Sequence, residues 1–329
     1  MGLNRALIQH VASQLGINLD TDDNGNRRDA GETAAFLRQL EYVYSQTYDI
    51  KHAALRAREF IPVDSSVPTG ADSYTYQQWD MFGEAKIIAN YGDDLPRVDV
   101  QAKEFTAPIK SLGNAYGFSI QDVRRAAMSG ASLETRRAAM ARRAHEQAID
   151  EIGAFGNAAA GLPGFLNNTN IPIVAPDNAP WATATALEII ADLNKLTNSI
   201  ITVTKDVEKP DTLILDLASF QLVNTMPMSS TGDADKTVLK FFLDNNPYIQ
   251  AIDSWTKLED AGAAGVTRIV AYRRDPEVLQ MVIPQEFEQL PPQARNLEFV
   301  IPCHSRKGGV KIHYPLACAF MDGTGEPGP

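Results

Sequence analysis

The chain has 329 residues, of which 44% are hydrophobic and 22% charged, and these ordinary globular proportions exclude wholesale disorder. Its 41 acidic residues outnumber its 30 Lys and Arg, and a net charge of −11 argues against a dedicated nucleic-acid binder, because phosphate contacts need clustered basic residues. No apolar run reaches the roughly 18 residues of a membrane helix, the N-terminus lacks a signal-peptide core, and 2 cysteines cannot form a disulfide framework; we expect a soluble protein made in a reducing cytoplasm.

Two amphipathic helices are predicted at the N-terminus, over residues 3–15 and 31–47, from apolar residues at helical spacing. The polar stretch between them, residues 20–31, starts like an EF-hand calcium loop, but the position that needs a bidentate Glu holds Gly31, and Glu32 comes one residue late. We interpret it as an exposed tether rich in turn-forming residues, with a weak, adventitious cation site as the alternative. The segment shows no independent core, so it is predicted to be an arm that packs on another surface.

A strand over residues 55–64 is predicted to end at Pro62 and to lead into an extended hairpin. Prolines and glycines interrupt residues 65–104, so no long helix fits there. The β-prone pieces between these breaks are 73–79, 85–91 and 97–105. A hairpin is marginally stable alone and aromatic residues anchor interfaces, so the aromatic side chains of this excursion are predicted to contact another subunit. The candidates are Tyr74, Tyr76, Trp79, Phe82 and Tyr91.

The middle of the chain predicts two helices. Ser119 and Asp122 form a capping pair for a first helix over 120–129. A second helix, over 133–155, is the longest regular element, and at about 1.5 Å per residue it is a rod of roughly 33 Å. Its apolar stripe is assigned to Leu133, Met140, Ala141, Ala144, Ala148, Ile152 and Phe155. A glycine-rich turn, GLPGFLN at 161–167, follows it.

From residue 180 the pattern becomes α/β and indicates a second domain. Helices are predicted near 184–199, 218–225 and 236–244. Strands are predicted near 212–217, 248–256 and 267–274, then 278–283, 297–303 and 310–314. The segment SRKGG, residues 305–309, is predicted to turn the last two strands into a hairpin.

Basic residues concentrate in the long helix of this acidic chain. Arg136, Arg137, Arg142 and Arg143 are candidates for electrostatic contacts, and Arg136 and Arg143 share a helix face. The alternatives are a solvated face paired with local acids, and a contact with nucleic-acid phosphates or an acidic partner subunit. His145 follows this run and is predicted on the same exposed cationic face.

No residue is predicted to be catalytic or to bind a cofactor or a metal. The chain lacks the G-x-S-x-G, H-E-x-x-H and G-x-x-x-x-G-K-[ST] motifs. The glycines of residues 323–328 match a dinucleotide motif in spacing only, since the chain leaves no room for the helix that must follow. Cys303, His304, His313 and Cys318 lack the paired spacing of zinc ligands, so the cysteines are predicted to be small buried residues of a sheet.

The order of these parts resembles the tailed-phage major capsid proteins of the Hong Kong 97-type fold, to which encapsulin shells are similar. The stretches that carry the resemblance are FLRQLEYVYSQTYD (36–49), IPVDSSVPTGADSYTY (61–76), FTAPIKSLGNAYGFSIQDVRRAA (105–127) and GLPGFLN (161–167). The resemblance spans essentially the whole chain. It implies an α+β fold with an N-terminal arm, an extended loop, a peripheral domain with a long spine helix, and an axial domain.

The resemblance also implies where these parts begin and end. The arm is 1–48, a peripheral-domain strand 49–65, the extended loop 66–104, the peripheral domain 105–179 with its spine helix at 132–156, the axial domain 180–275, and the return to the peripheral domain 276–329. Some relatives cross-link a loop lysine to an asparagine of a neighbour. No motif around Lys86 or Lys103 supports that chemistry, and we do not predict it.

The function that the resemblance implies is a non-enzymatic major capsid protein. It would self-assemble through pentamers and hexamers into an icosahedral shell around a double-stranded DNA phage genome, in a virion whose protein is made in the host cytoplasm. Its partners would be itself, then portal, scaffold and decoration proteins, and packaged DNA through non-specific contact, with no membrane and no cofactor. Two alternatives stay open: an encapsulin-like nanocompartment shell that holds cargo protein, and an enzyme with an unrecognised site.

Overall fold

The computed structural model describes residues 53–82, 99–129, 136–228 and 236–325, and all of them belong to one unit that begins at Ala53. The helices predicted for the N-terminal arm, its calcium-loop-like stretch and the predicted strand at 85–91 lie outside these residues. The α-helices in the described part are α1 (Ala57–Phe60), α2 (Ile120–Ser129), α3 (Arg136–Phe155), α4 (Ala186–Val203), α5 (Leu217–Thr225) and α6 (Val238–Asn245).

The strands of the described residues form four sheets. In chain order they are β1 (Val63–Asp64), β2 (Ser73–Phe82), β3 (Asp99–Pro108), β4 (Lys110–Ser119), β5 (Ile173–Val174), β6 (Thr212–Leu215), β7 (Ala251–Ser254), β8 (Arg268–Tyr272), β9 (Leu279–Val282), β10 (Gln285–Gln289), β11 (Gln293–Arg295), β12 (Glu298–Lys307), β13 (Gly309–Ile312) and β14 (Cys318–Asp322). β2 and β3 form a ribbon, β1-β9-β13 a three-stranded sheet, and β5-β14-β8-β6-β7 a five-stranded sheet. In the outer sheet, β12 pairs with β4 along one edge and with β10 and β11 along the other.

Alternate residues of the five-stranded sheet face two separate cores. Leu213 and Leu215 pack with Leu193 of α4 on one face, whereas Ile214 lies in the second core with Phe320. All five side chains are fully buried. Because successive strand residues point to opposite faces, a strand covered on both sides is largely apolar, and this explains the consecutive apolar residues Leu213–Leu215 of β6.

Local capping signals place two helices where the sequence predicts them. At the start of α2, the Asp122 N–H donates to Ser119 Oγ at 3.1 Å, and the Ser119 N–H donates to Asp122 Oδ2 at 3.4 Å. At the start of α4, Thr185 and Glu188 form the reciprocal capping box. The predicted α+β class and most predicted elements after residue 100 are confirmed, with ends shifted by a few residues.

The long helix α3 is confirmed over Arg136–Phe155, and its predicted start lies outside the described residues. Its predicted apolar stripe is wrong in part, because Met140 is 61% exposed and Ala144 is also exposed. The buried face carries His145 and Ile149 instead, so the prediction of an exposed cationic His145 is wrong. The helix packs on α1, β4, β12 and β13, and these neighbours, distant in sequence, select the face that is buried.

Residues 55–64 are not the single strand that was predicted. Ala57–Phe60 form the helical turn α1, and only Val63–Asp64 are extended, paired parallel to β9. The carboxylate of Asp150 on α3 accepts hydrogen bonds from the first donors of this turn, the N–H groups of Arg56 and Ala57. A cap that comes from so far along the chain leaves no local signal in the sequence.

The hairpin predicted at SRKGG is also wrong. β12 pairs with strands of the outer sheet, whereas β13 pairs with β9 of the three-stranded sheet. Gly309 has a φ of +76°, and a Cβ atom there would lie 2.6 Å from the carbonyl oxygen of Pro163, so glycine is required at this bend. The chain therefore passes from one sheet to the next instead of reversing.

Candidate assembly surfaces

The ribbon of β2 and β3 confirms the predicted hairpin. Its register runs from Ser73 opposite Pro108 to Phe82 opposite Asp99. Ten residues per strand at about 3.3 Å each give a length of roughly 33 Å. Within the described residues the two strands pair only with each other. Of the predicted contact residues, Trp79 and Phe82 lie toward the distal end, but their side chains, and all of Tyr91, fall outside the described residues.

The near end of the ribbon is buried in the subunit itself. Tyr74 is only 8% exposed and packs with Ile109 and Val282. Its hydroxyl donates to the carbonyl oxygen of Gly308 at 3.1 Å, and burial raises the pKa of this phenol above its ordinary range. The ring of Tyr74 is therefore part of the subunit's own core, which corrects the premise that the excursion cannot bury its aromatic residues.

Tyr76 is held in a similar way, two residues further along the ribbon. Its hydroxyl donates to the carbonyl oxygen of Ile312 at 3.3 Å. Its ring stacks on Phe105 of β3 and meets the ring of His313 edge-on, with centroids 5.2 and 4.8 Å away. Tyr76 remains partly exposed, so it stays a candidate for a contact with a second subunit.

Charged contacts fix the foot of the ribbon. Arg306 of β12 donates to the carbonyl oxygen of Thr69 and to the Asp72 carboxylate, the latter at 2.9 Å. Lys311 of β13 pairs with Asp64 at 2.5 Å. Burial alone would raise the pKa of Asp64, but hydrogen bonds from Lys311 and Ser66 outweigh it and lower the pKa to about 2. These contacts join the segment before β2 to two sheets.

The candidate arginines of α3 divide into different environments. Arg137 donates to the carbonyl oxygen of Gly117, and its guanidinium lies 4.9 Å from the centre of the Phe118 ring, so it holds α3 against β4. Arg136 and Arg142 are exposed, and Arg143 is partly exposed. Of the four, Arg142 and Arg143 remain the best candidates for an electrostatic contact with another molecule.

The cysteines and histidines near the C-terminus are dispersed. Cys303 lies in the outer sheet and Cys318 in the five-stranded sheet, and both are buried free thiols, as predicted. His313 packs on Tyr76 of the ribbon. In the part of the chain that the structure describes, no group of three or more His, Cys, Asp or Glu side chains could hold a metal ion.

Two exposed apolar features escaped the sequence interpretation. An open groove of about 560 Å³ lies beside the ribbon, where Val207, Tyr314 and Leu316 line it together with Gln78. At one end of the outer sheet, Leu297 is 75% exposed at the start of β12. Exposed apolar groups of this kind are typical of protein contacts when they form a patch. Their positions depend on which strands meet, so their spacing in the sequence gives no signal.

A family model described as "Major capsid protein" matches residues 83–324, well over half of the chain. The chain belongs to the major capsid protein family. Such a protein forms the shell of a phage virion, and the family is one of structural proteins, which favours a non-enzymatic role. No curated protein is significantly similar in sequence, and among the described helices none has the length and apolar character to span a membrane.

Solved capsid structures share the fold of this major capsid protein. The capsid of Myoviridae phage XM1 is 19% identical, with 87% of this chain and 97% of that chain covered and a TM-score of 0.76. The structure from Mycobacterium phage Ogopogo is 15% identical, covers 88% and 98%, and has a TM-score of 0.58. A virus-like particle from Pyrococcus furiosus is 15% identical, covers 80% and 90%, and has a TM-score of 0.50. These likenesses confirm the predicted Hong Kong 97-type fold.

Proposed function

We propose that this major capsid protein assembles through pentamers and hexamers into an icosahedral shell that encloses a double-stranded DNA phage genome. The observation that carries the proposal is the ribbon of β2 and β3, fixed at its foot by Tyr74 and Arg306 and paired with no third strand among the described residues. A ribbon of two strands is marginal alone. A second subunit against its distal half would supply the missing support.

Each part of the chain has its own role in the proposed shell. The ribbon, within residues 66–104 and the start of the segment that follows, is the extended loop that reaches a neighbour. The outer sheet and α3 belong to the peripheral domain, within residues 105–179 and 276–329. Residues 180–275 belong to the axial domain, which meets its copies around the symmetry axes, and its five-stranded sheet also takes β5 and β14 from the flanking ranges. Residues 1–48 are the arm. Contacts that are heterologous and close on themselves produce rings, and contacts between rings close a shell.

Other partners follow from the same proposal. The exposed Arg142 and the partly exposed Arg143 would face acidic subunits or packaged DNA, and the contact with DNA would be non-specific, because the net charge of −11 leaves little basic surface. Portal, scaffold and decoration proteins would complete the particle. Synthesis would take place in the host cytoplasm, and the protein would carry no enzymatic activity.

The direct test is the mass and content of the purified particle. We expect the full chain, expressed alone or with its neighbouring phage genes, to form hexamers, pentamers or closed shells that electron microscopy resolves with icosahedral symmetry. A protein that stays monomeric at all concentrations and salts would contradict the proposal. Nuclease-resistant DNA inside phage-derived particles supports genome packaging, whereas cargo protein in place of DNA would favour the encapsulin-like alternative.

A further inference from the structure

Two buried basic side chains lie between α3 and the outer sheet without a full set of partners. His145 of α3 is 3% exposed and Lys307 of β12 is 2% exposed. His145 Nδ1 is 2.8 Å from Ser305 Oγ, but neither His145 Nε2 nor Lys307 Nζ has a hydrogen-bond partner. Ser305 and Lys307 are two residues apart on one strand, so both point toward the helix face that carries His145.

The acidic groups near His145 and Lys307 already pair with another cation. Glu146 of α3 and Glu286 of β10 are the nearest acids, but both pair with Arg58 of α1, at 3.0 and 2.7 Å. Phe287 of β10 covers the imidazole ring edge-on. The remaining charged or titratable neighbours are His304, Arg142 near Glu286, and the exposed Lys110, which is the register partner of Lys307 on β4. The acids are therefore shared with a third cation.

We propose that His145 and Lys307 make the contact between α3 and the outer sheet sensitive to acid. When His145 takes up a proton, two neighbouring buried cations face each other across the contact, and α3 loosens from β12. At neutral pH His145 is uncharged, its hydrogen bond to Ser305 is intact, and the contact is tight.

The titration of the two groups agrees with this geometry. Burial and then the charge of Lys307 lower the pKa of His145 below its ordinary value of 6.5. Burial lowers the pKa of Lys307 to about 8, so Lys307 is already largely charged at neutral pH. Because the folded subunit binds the histidine proton less tightly than the unfolded chain does, its stability falls as the pH drops through 6.5 toward the lowered value.

Hydrogen exchange of assembled shells tests the proposal. Protection factors for peptides within residues 141–152 are compared at about pH 7.5 and about pH 5.5, on either side of the ordinary histidine pKa. Protection factors are used because the intrinsic exchange rate itself changes with pH. We expect a severalfold loss of protection at the lower pH, confined to α3 and β12. Equal protection at both pH values would overturn the proposal.

Two variants and a control assign the effect to these groups. His145→Gln keeps a polar group beside Ser305 but cannot take up a proton. Shells of this variant should therefore keep the same hydrogen-exchange protection at the lower pH as at the higher pH. Lys307→Met removes the second cation and should reduce the loss of protection in acid. If His145→Gln fails to assemble, Lys307→Met alone tests whether the two cations cause that loss. His313→Gln, which alters a histidine that packs on Tyr76 of the ribbon and is not among the groups that act on His145, should behave as the wild type in α3 and β12. An undiminished acid effect in His145→Gln or in Lys307→Met would overturn the proposal.

Discussion

Asp150, buried in the C-terminal half of α3, accepts a hydrogen bond of 2.9 Å from the backbone N–H of Ala57, a residue 93 positions away in the chain. The same oxygen accepts from the N–H of Arg56 at 3.0 Å. One helix thus supplies the N-terminal cap of another, and the cap fixes the segment that leads to the ribbon. Arg56 extends the contact through its ion pair with Asp253.

Removing this cap should destabilise the subunit. In Asp150→Ala the two N–H groups lose their acceptor, and we expect a loss of about 3 kcal/mol in the free energy of unfolding, because an unpaired buried donor costs about 1–3 kcal/mol. Urea denaturation of dissociated subunits measures it. The neighbouring Glu151→Ala, which removes an exposed pair with Lys257, is the control and should cost under about 1 kcal/mol. Equal losses in the two variants would contradict the capping role.

The ion pair of Asp64 and Lys311 should contribute stability that depends on pH. The folded-state pKa of Asp64, about 2, lies below the ordinary 3.8, so the contribution is present above that ordinary value and is lost as the pH falls through the folded-state value. Asp64→Asn should lower the free energy of unfolding by about 2 kcal/mol at neutral pH and by progressively less in acid.

Urea denaturation at several pH values measures that dependence. The control is Asp72→Asn, because the Asp72 side chain is 96% exposed although it pairs with Arg306, and a surface pair is worth about 0–1 kcal/mol. A loss in Asp64→Asn that is the same in acid and at neutral pH would exclude the ion pair as its source.

Tyr74 should matter to the subunit before it matters to the shell. Tyr74→Ala removes a buried ring from the contact with Ile109 and Val282, and we expect a loss of about 3 kcal/mol, the usual cost of truncating a buried aromatic residue. Tyr74→Phe keeps the ring and loses only the hydrogen bond to Gly308, so it should cost about 1 kcal/mol. Thermal or urea unfolding of subunits checks both, and a fully stable Tyr74→Ala subunit would contradict the burial.

A substitution at Trp79 should affect shell formation and leave the stability of the subunit nearly unchanged. Trp79 lies on the distal half of the ribbon, opposite Ala102, and an aromatic anchor at an interface often costs more than about 2 kcal/mol when it is truncated. Trp79→Ala should therefore leave the circular dichroism spectrum of the subunit almost unchanged and impair shell formation. Light scattering at several concentrations follows assembly, with Gln77→Ala, whose side chain bonds to Glu104 within the ribbon, as the control on the same strand. Assembly at the wild-type rate, or unfolding of the subunit, would exclude Trp79 as an intersubunit anchor.

The elements that the sequence predicts well are those with a local cause. Ser119 with Asp122 marks the start of α2 because the capping groups lie within one turn of each other, and the apolar run of β6 marks a buried strand. The strand predicted over residues 55–64 is wrong because residues 57–60 form a helical turn, and the cap of that turn, Asp150, comes from another helix. His145 was assigned to an exposed face because nothing near it in sequence reveals Ser305.

The glycines of SRKGG predict a hairpin turn, and the structure has a bend between two sheets there instead of a reversal. The positive φ of Gly309 is the conformation that a turn residue adopts, but the strands on either side join different sheets. Pairing is decided by contacts between distant strands, such as β12 with β4, which a single sequence does not display. The same limit hid the groove beside Tyr314, whose walls come from separate parts of the chain.

The ribbon acts as a lever arm. With a length of roughly 33 Å, a tilt of about 5° at its foot would move its tip about 3 Å sideways. That displacement is enough to break an apolar contact, because two side chains are in contact only when their heavy atoms lie within about 4.5 Å of each other. Inside the subunit the foot is held by the hydrogen bond of Tyr74 to Gly308 and by those of Arg306 to Thr69 and Asp72. The accuracy with which each copy would meet its neighbour therefore depends on residues at the foot of the ribbon, and a substitution there that leaves the subunit folded, such as Tyr74→Phe, should still produce irregular particles.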